Sequence, residues 1–229
     1  SLAGALGFLC LVPILSGSNS IYVFSSWIVN VIPLLFLSMA AALVISSGHV
    51  DISTGAVMSL LGMLVVSSIG LFGDNLAIIV VLHLLVFCGG VAIYIGMFSI
   101  IKNGISSLVV TLAVFFIAKG SSTFIQICMQ SAGYICRSGS PERFSLASGV
   151  IPSEYVVEMF SHPLVSAMIL ISLVAVVHFW RYSTRGGLDH IAVGMNQASA
   201  KFVGISVLKV HFLAFVFAGV LVSSATFIR

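Results

Sequence analysis

The chain has 229 residues, of which 60% are hydrophobic and 7% charged, with a net charge of +3 and a mean hydropathy of +1.25. A soluble domain needs many more charges to cover its surface, so this composition excludes one and predicts an integral membrane protein. Long apolar runs are typical of helices rather than of a barrel, whose strands alternate. We predict an all-α, polytopic transmembrane bundle of about six to seven spans, forming one domain over residues 1–229.

The apolar runs follow one another in chain order, with polar turns between them. The run that begins near residue 105 meets Lys119 partway, so it either crosses once or re-enters. Two longer polar stretches are predicted as loops, an outer loop over 129–162 and a coupling loop over 181–209. The predicted spans cover approximately residues 1–16, 29–47, 56–72, 76–101, 105 onwards, 164–180 and 210–228.

Lysine and arginine residues set the predicted orientation. Lys201 and three further basic residues lie in the 181–209 loop, whereas the 129–162 loop holds only two. Cytoplasmic loops carry the excess of positive charge. If the run from 105 crosses once, the 181–209 loop, Lys102 and the polar break at Gly48–Gly55 lie in the cytoplasm.

Within the 181–209 loop, the sequence predicts a helix of about two turns between Asn196 and Gly204. Asparagine is a good N-cap, and glycine adopts the left-handed conformation that ends many helices. A helix this short needs a partner surface to be stable. Residues 184–187, which read TRGG, are interpreted as a glycine-hinged lead-in. We interpret the segment as a docking helix; an ordinary cytoplasmic loop is the alternative.

The break at Gly48–Gly55 holds Asp51, the acid that lies between the second and third spans. A carboxylate inside a bilayer must pair, line water or lie at an edge. Ser53 or Thr54 can cap the third span, and the helix dipole favours Asp51 there. The alternative is a polar element beside a transport path, with His49 next to it.

Lys119 lies about 21 Å of helix rise beyond Ile105, in the outer third of a hydrocarbon core about 30 Å thick. From that depth a lysine side chain can extend to the interface, and a buried gating or substrate-binding role is the alternative.

Known catalytic and metal motifs are missing from the sequence. It contains no HExxH, no GxSxG and no Walker A pattern, so we predict no enzyme activity, no metal site and no ATP hydrolysis by that route. Energy for transport must then come from a partner or an ion gradient. Cys128 and Cys136 could pair near the outer loop, although reduced thiols are the favoured interpretation.

Three stretches, in the same order, resemble ribose-type ABC importer permeases. GHVDISTG at 48–55 is similar to their GG-I-D-L-S-V-G signature. SLVVTL at 107–112, followed by Lys119-Gly120, resembles F-I-x-T-L…R-G. TRGG at 184–187, GMNQASAK at 194–201 and Gly204-Ile205 resemble T-R-x-G…G-x-N-x-x-A-A-R-x-x-G-I, which in the family forms the cytoplasmic coupling helix.

The resemblance implies a multi-pass permease subunit in the bacterial inner membrane, surrounded by lipid. It would receive a monosaccharide from a periplasmic binding protein and work with a second permease subunit. A cytosolic subunit would bind the ATP and magnesium, so this chain would carry no cofactor; no nucleic-acid partner is expected. The matching positions expected to couple to the ATPase are Gly194, Asn196, Gln197, Ala198, Ala200, Lys201, Gly204 and Ile205.

Polar residues of the other two motifs are candidates for the translocation path. His49 stands where the family has glycine, and lysine replaces arginine at 119 and 201. The family also continues beyond the point that matches residue 229, so the chain is expected to be truncated relative to it. The candidate path residues are Asp51, Ser53, Thr54, His49, Thr111 and Lys119.

Two other functions remain open on the sequence. One is a gradient-driven secondary transporter in which Asp51, His49 and Lys119 form a proton or ion relay. The other is a non-transporting scaffold subunit of a membrane complex.

Overall fold

The computed structural model describes residues 20–72, 76–131 and 163–228. Within these ranges the chain forms eight helices joined by short connections. They are α1 Ser20–Ser46, α2 Thr54–Phe72, α3 Leu76–Ile101, α4 Ser107–Ser131, α5 Pro163–Ser183, α6 Arg185–Met195, α7 Gln197–Phe202 and α8 Val207–Ile228.

Helices are observed at most of the predicted spans. Helix α3 has the predicted bounds and ends before Gly104, whose positive φ of 93° turns the chain. Helix α1 begins at Ser20 rather than near Val29. Helix α4 continues unbroken past Lys119 and takes in residues 129–131, which were assigned to the outer loop. The predicted span 1–16 and the remainder of that loop lie outside the described residues.

The described helices form a membrane bundle, as predicted. Three segments are long and apolar enough to cross a bilayer, namely Ala77–Ile101, Ser107–Ser131 and Val207–Thr226. Shorter apolar stretches, Val31–Ser46 and Thr54–Ile69, lie within α1 and α2. Large apolar side chains also cover the outside of the bundle, which suits contact with lipid tails.

Helix α8 lies at the centre of the bundle, in contact with α1, α2 and α3. Small residues permit this close packing, because a Cβ at Gly90 of α3 would collide with Ser223 and Leu61. Gly219 of α8 likewise faces the Val91 backbone. Helix α4 packs on α2, where the Ser59 and Ser122 hydroxyls lie 3.1 Å apart. Close packing between helix backbones therefore stabilises the bundle, together with contacts between apolar side chains.

Three connections lie on one face of the bundle, which we call the basic face. They are residues 47–53 between α1 and α2, the α3–α4 connection 102–106, and the segment 184–206 between α5 and α8. Residues 47–53, which hold most of the predicted polar break at Gly48–Gly55, are called the break from here on. Helix α4 is continuous, Val50 bonds to Ser107, and Gly48 lies against Gln197. The three connections therefore lie on the same side of the bundle, as predicted for a run from 105 that crosses once. This face carries Lys102, Arg181, Arg185, Lys201 and Lys209.

Candidate functional site

The chain turns sharply from α5 into α6 at Thr184. The Thr184 hydroxyl accepts a hydrogen bond from the Gly187 N–H at 3.2 Å, which caps α6, and donates to the Trp180 carbonyl at 2.6 Å. A Cβ at Gly187 would collide with the Trp180 and Arg181 backbone. The predicted glycine hinge is therefore wrong: residues 185–187 form the first turn of a helix, and glycine lets that turn approach α5 closely.

The predicted helix between Asn196 and Gly204 is confirmed as α7. The Asn196 side chain accepts from the Ser199 N–H at 3.1 Å, and the same residue ends α6. Gly204 has a φ of 86° and follows the C-cap Val203. The Ile205 N–H then returns to the Ala200 carbonyl at 3.0 Å. Both ends of α7 are fixed by residues that the sequence shows.

Helices α6 and α7 and the start of α8 form one structural element, here called the coupling unit (residues 184–210). Its own small core consists of Val193, Ala200 and Val210, with Ile205 and Val207 packed against them. This core supplies the partner surface that a six-residue helix requires. Two predicted coupling residues, Ala200 and Ile205, thus pack inward, whereas Ala198 and Lys201 are exposed.

The coupling unit exposes large apolar side chains where α6 and α7 end, and sequence reasoning missed them. This region, formed by Met195, Phe202 and Val203, is here called the tip. Phe202 is 92% exposed, Met195 81% and Val203 76%. Phe202 follows the buried Ala200 by two residues, or about 200° around a helix, so burial of one exposes the other. That spacing is the signal that could have identified it. Large apolar side chains exposed among polar ones are typical of a protein contact.

The coupling unit is seated on the end of α1. Gly194 touches the Ser46 backbone, since a Cβ there would collide with the Ser46 carbonyl. The buried His190 ring nitrogen Nε2 is hydrogen-bonded to the Leu43 carbonyl at 2.9 Å. Arg181, at the end of α5, donates to the Ser46 hydroxyl at 3.2 Å. These contacts join the coupling unit and the end of α5 to the residues just before the break.

Gly48 extends this contact into the break itself. It has a φ of 92°, and a Cβ there would lie 3.2 Å from the Gln197 amide nitrogen. A side chain at this position would be strained by both the backbone conformation and the neighbour. Gln197, a predicted coupling residue, therefore lies against the break.

Asp51 forms a buried turn with Ser53 immediately before α2. Its Oδ1 accepts hydrogen bonds from the Ser53 N–H at 2.8 Å and the Ser53 hydroxyl at 2.7 Å. Asp51 is 7% exposed and Ser53 is fully buried, while Thr54 begins the helix. The buried Tyr94 hydroxyl lies beside the Asp51 carboxylate without a well-formed hydrogen bond to it. Both hydrogen bonds lie in the turn before α2 and reach no N–H of the helix itself, so Asp51 fixes the turn that leads into α2.

His49 connects the break to α8. Its Nε2 lies 3.1 Å from Nδ1 of His211, and the rings meet edge to face at 4.3 Å. Burial, and secondarily the neighbouring His211, lower the pKa of His49 from 6.5 to about 4. Burial also lowers the pKa of His190. At neutral pH the His49 ring is therefore uncharged and can share a hydrogen bond with the His211 ring.

The break also bonds to the start of α4. The Val50 N–H donates to the Ser107 hydroxyl at 3.1 Å, and the Thr111 hydroxyl contacts the Val50 carbonyl at 3.4 Å. Of the predicted path residues, the fold thus gathers five in or beside the break. Lys119 is separate, about 12 Å further along α4 than Thr111 and on its exposed side.

In the part of the chain that the structure describes, no three His, Cys, Asp or Glu side chains are placed to hold a metal ion. Cys128 is a free thiol there, and Cys136, with which it could alternatively pair, lies outside the described residues.

Comparison with known proteins gives the family. A family model described as a branched-chain amino acid transport system / permease component matches residues 23–225. The chain belongs to this permease family. It is also 29% identical over 194 residues to a probable ABC transporter permease protein, y4mJ, from Sinorhizobium fredii (strain NBRC 101917 / NGR234).

That alignment covers 83% of this chain and 52% of the relative, so the chain spans about half of the relative's length. No solved structure matches the chain. The family covers the break, α4 and the coupling unit together, since all three lie between residues 23 and 225.

Proposed function

We propose that this chain is a transmembrane permease subunit of an ATP-driven importer, and that its coupling unit docks on a cytosolic ATPase. The observation that carries the proposal is the tip of that unit, where Met195, Phe202 and Val203 expose apolar surface on the basic face. The positive charge of the same face favours a cytoplasmic location. Membership of the permease family supports the same function.

The contacts of the coupling unit suit the transmission of force. Gly194 rests on the Ser46 backbone and Gly48 on Gln197, so a push on the tip reaches the end of α1 and the break without a flexible link. The break in turn bonds to Ser107 and Thr111 of α4. Rigid-body motion of a docked partner would thus be passed to helices that cross the membrane.

The cargo we propose is a monosaccharide such as ribose, delivered by a periplasmic binding protein in a bacterial inner membrane. This step rests on the three ribose-type motifs, whereas the description of the matched family names branched-chain amino acids. A second permease subunit would complete the path. ATP and magnesium would be held by the ATPase, and this chain would supply docking and the wall of the path.

The docking proposal is tested by co-purification of the permease with a cytosolic ABC-type ATPase from the same organism. Phe202→Ala should weaken ATPase binding by about thirtyfold, or about 2 kcal/mol, as expected for a central aromatic anchor. Phe124→Ala is the matched control, because Phe124 is 68% exposed but lies on a membrane helix. Equal ATPase recovery with both variants would contradict the docking surface.

The energy source and cargo are tested by uptake into vesicles. An ATP-driven importer should take up ribose only with internal ATP, and branched-chain amino acids should not compete. Uptake that survives ATP depletion but responds to a proton gradient would favour the relay alternative. In the structure the hydrogen bonds of His49 and Asp51 go to His211 and Ser53 rather than to each other or to Lys119.

A further inference from the structure

The exposed side of α4 is divided into a polar line and an apolar sector. The polar residues are spaced by four, three and four positions, so they lie along one line of the helix, about 16 Å long. All are exposed in the described part of the chain. They are Lys119, Thr123, Gln126 and Gln130.

The apolar sector lies beside that line on the same helix. Ile117 and Phe124 are each 68% exposed, and Ile127 is 59% exposed. These side chains suit lipid. A lysine and two glutamines do not, because polar groups in hydrocarbon are costly and are found facing water or protein. The separation of the two sectors indicates that only one of them faces the bilayer.

The polar line changes character towards the basic face. Three and seven positions before Lys119, the same line holds Phe116, 65% exposed, and Leu112, 41% exposed. Leu108, 45% exposed, continues it to the start of α4. One edge of α4 is therefore polar over the half remote from the basic face and apolar over the half near it.

The apolar half is the half that is attached to the break. Ser107 and Thr111 bond to Val50, whose neighbour Gly48 lies against Gln197 of the coupling unit. The polar half has no such connection among the contacts described. Motion of the coupling unit would therefore displace Leu108, Leu112 and Phe116 more directly than Gln126 or Gln130.

We propose that this edge of α4 is one wall of the translocation path. Its half remote from the basic face is a solute-binding vestibule, and its half near the basic face is an apolar gate. The vestibule consists of Lys119, Thr123, Gln126 and Gln130, and the gate of Leu108, Leu112 and Phe116. The inference rests on the proposed function for its orientation: the vestibule opens away from the cytoplasm. Ammonium and amide groups donate to oxygen acceptors, so the vestibule suits a hydroxyl- or carboxylate-bearing solute, and a dry apolar constriction stops it.

Cysteine labelling of the full protein tests the vestibule. Single cysteines are placed in a variant that lacks the native Cys10, Cys88, Cys128 and Cys136, and a charged, membrane-impermeant thiol reagent is added from outside. Positions 123, 126 and 130 should label at least several-fold faster than 124 and 127. Ribose should slow labelling at 126 if the solute is a sugar, whereas leucine should slow it if the solute carries a carboxylate. Equal labelling of both sectors, or none on the polar line, would overturn the vestibule.

The gate is tested in sealed vesicles without ATP. Phe116→Ala should raise passive leak of the solute several-fold, because it opens the apolar half of the line. Ile117→Ala is the matched control, since Ile117 is an equally exposed neighbour in the lipid-facing sector. Equal leak in the two variants would overturn the gate. Labelling needs no ATPase, so the vestibule can stand even where the Phe202→Ala experiment refutes ATPase docking.

Discussion

The break and the coupling unit are both polar interruptions of an apolar chain, yet they are built in opposite ways. The break buries its polar residues: Ser47 and Ser53 are fully buried and Asp51 is 7% exposed. The coupling unit buries small apolar residues and exposes Phe202 and Met195 at its tip. A polar stretch in a membrane protein can thus be an internal joint or an external contact, and its hydrogen bonds decide which.

The contact between the two regions can be broken at Gly194, with the largest effect that we expect. Gly194→Ala places a methyl group against the Ser46 carbonyl, and such overpacking costs about 1–3 kcal/mol. Thermal unfolding of the purified protein in detergent measures the loss. Gly55→Ala is the control, because a Cβ there meets nothing within 4 Å. Similar losses for the two variants would show that α6 does not rest on α1 as described.

The break can be weakened in steps by substitutions at Asp51. Asp51→Ala removes the acceptor for the Ser53 N–H and hydroxyl, and leaving these buried donors unpaired costs about 1–2 kcal/mol. Asp51→Asn should lose less, because its amide oxygen can still accept the N–H bond. The thermal midpoints of the two variants give the comparison.

A relay role for Asp51 gives a different pattern in the same variants. Asp51→Asn would then abolish uptake as completely as Asp51→Ala while the protein remained stable. That result would contradict the structural role and favour the gradient-driven transporter.

The smallest effect that we expect is a pH dependence of the free energy of unfolding, caused by His49. Unfolded His49 binds a proton near pH 6.5, whereas the folded pKa is about 4. The unfolded state therefore binds more protons between these values, so the stability contributed by neutral His49 is complete above about pH 6.5 and declines as the pH falls towards about 4. Acid should weaken the connection of the break to α8.

His49→Gln should reduce this acid sensitivity while retaining a hydrogen-bonding group. Between about pH 7 and pH 5 we expect the thermal midpoint of the wild type to fall about 2–4 °C further than that of His49→Gln, which corresponds to about 1 kcal/mol in a chain of this size. His178→Gln, at an exposed position on α5, is the control. An unchanged pH profile in His49→Gln would contradict the lowered pKa of His49.

Membrane character, most helix bounds and both ends of α7 were determined by the sequence alone. Long apolar runs have few alternatives to spanning helices in a bilayer, and Asn196 and Gly204 act through local backbone geometry. The same local reasoning failed at Gly187, because a glycine that admits a close neighbour and a glycine that bends the chain look alike in sequence.

Only the tertiary structure decided which residues meet. The His49–His211 pair joins positions 162 residues apart, and Val50 bonds to Ser107 over 57 residues. The contact of Gly194 with Ser46 and the exposure of Phe202 likewise depend on how α6 and α7 pack against α1 and α8. Such contacts arise from packing between helices distant in sequence, and no local pattern of residues encodes them.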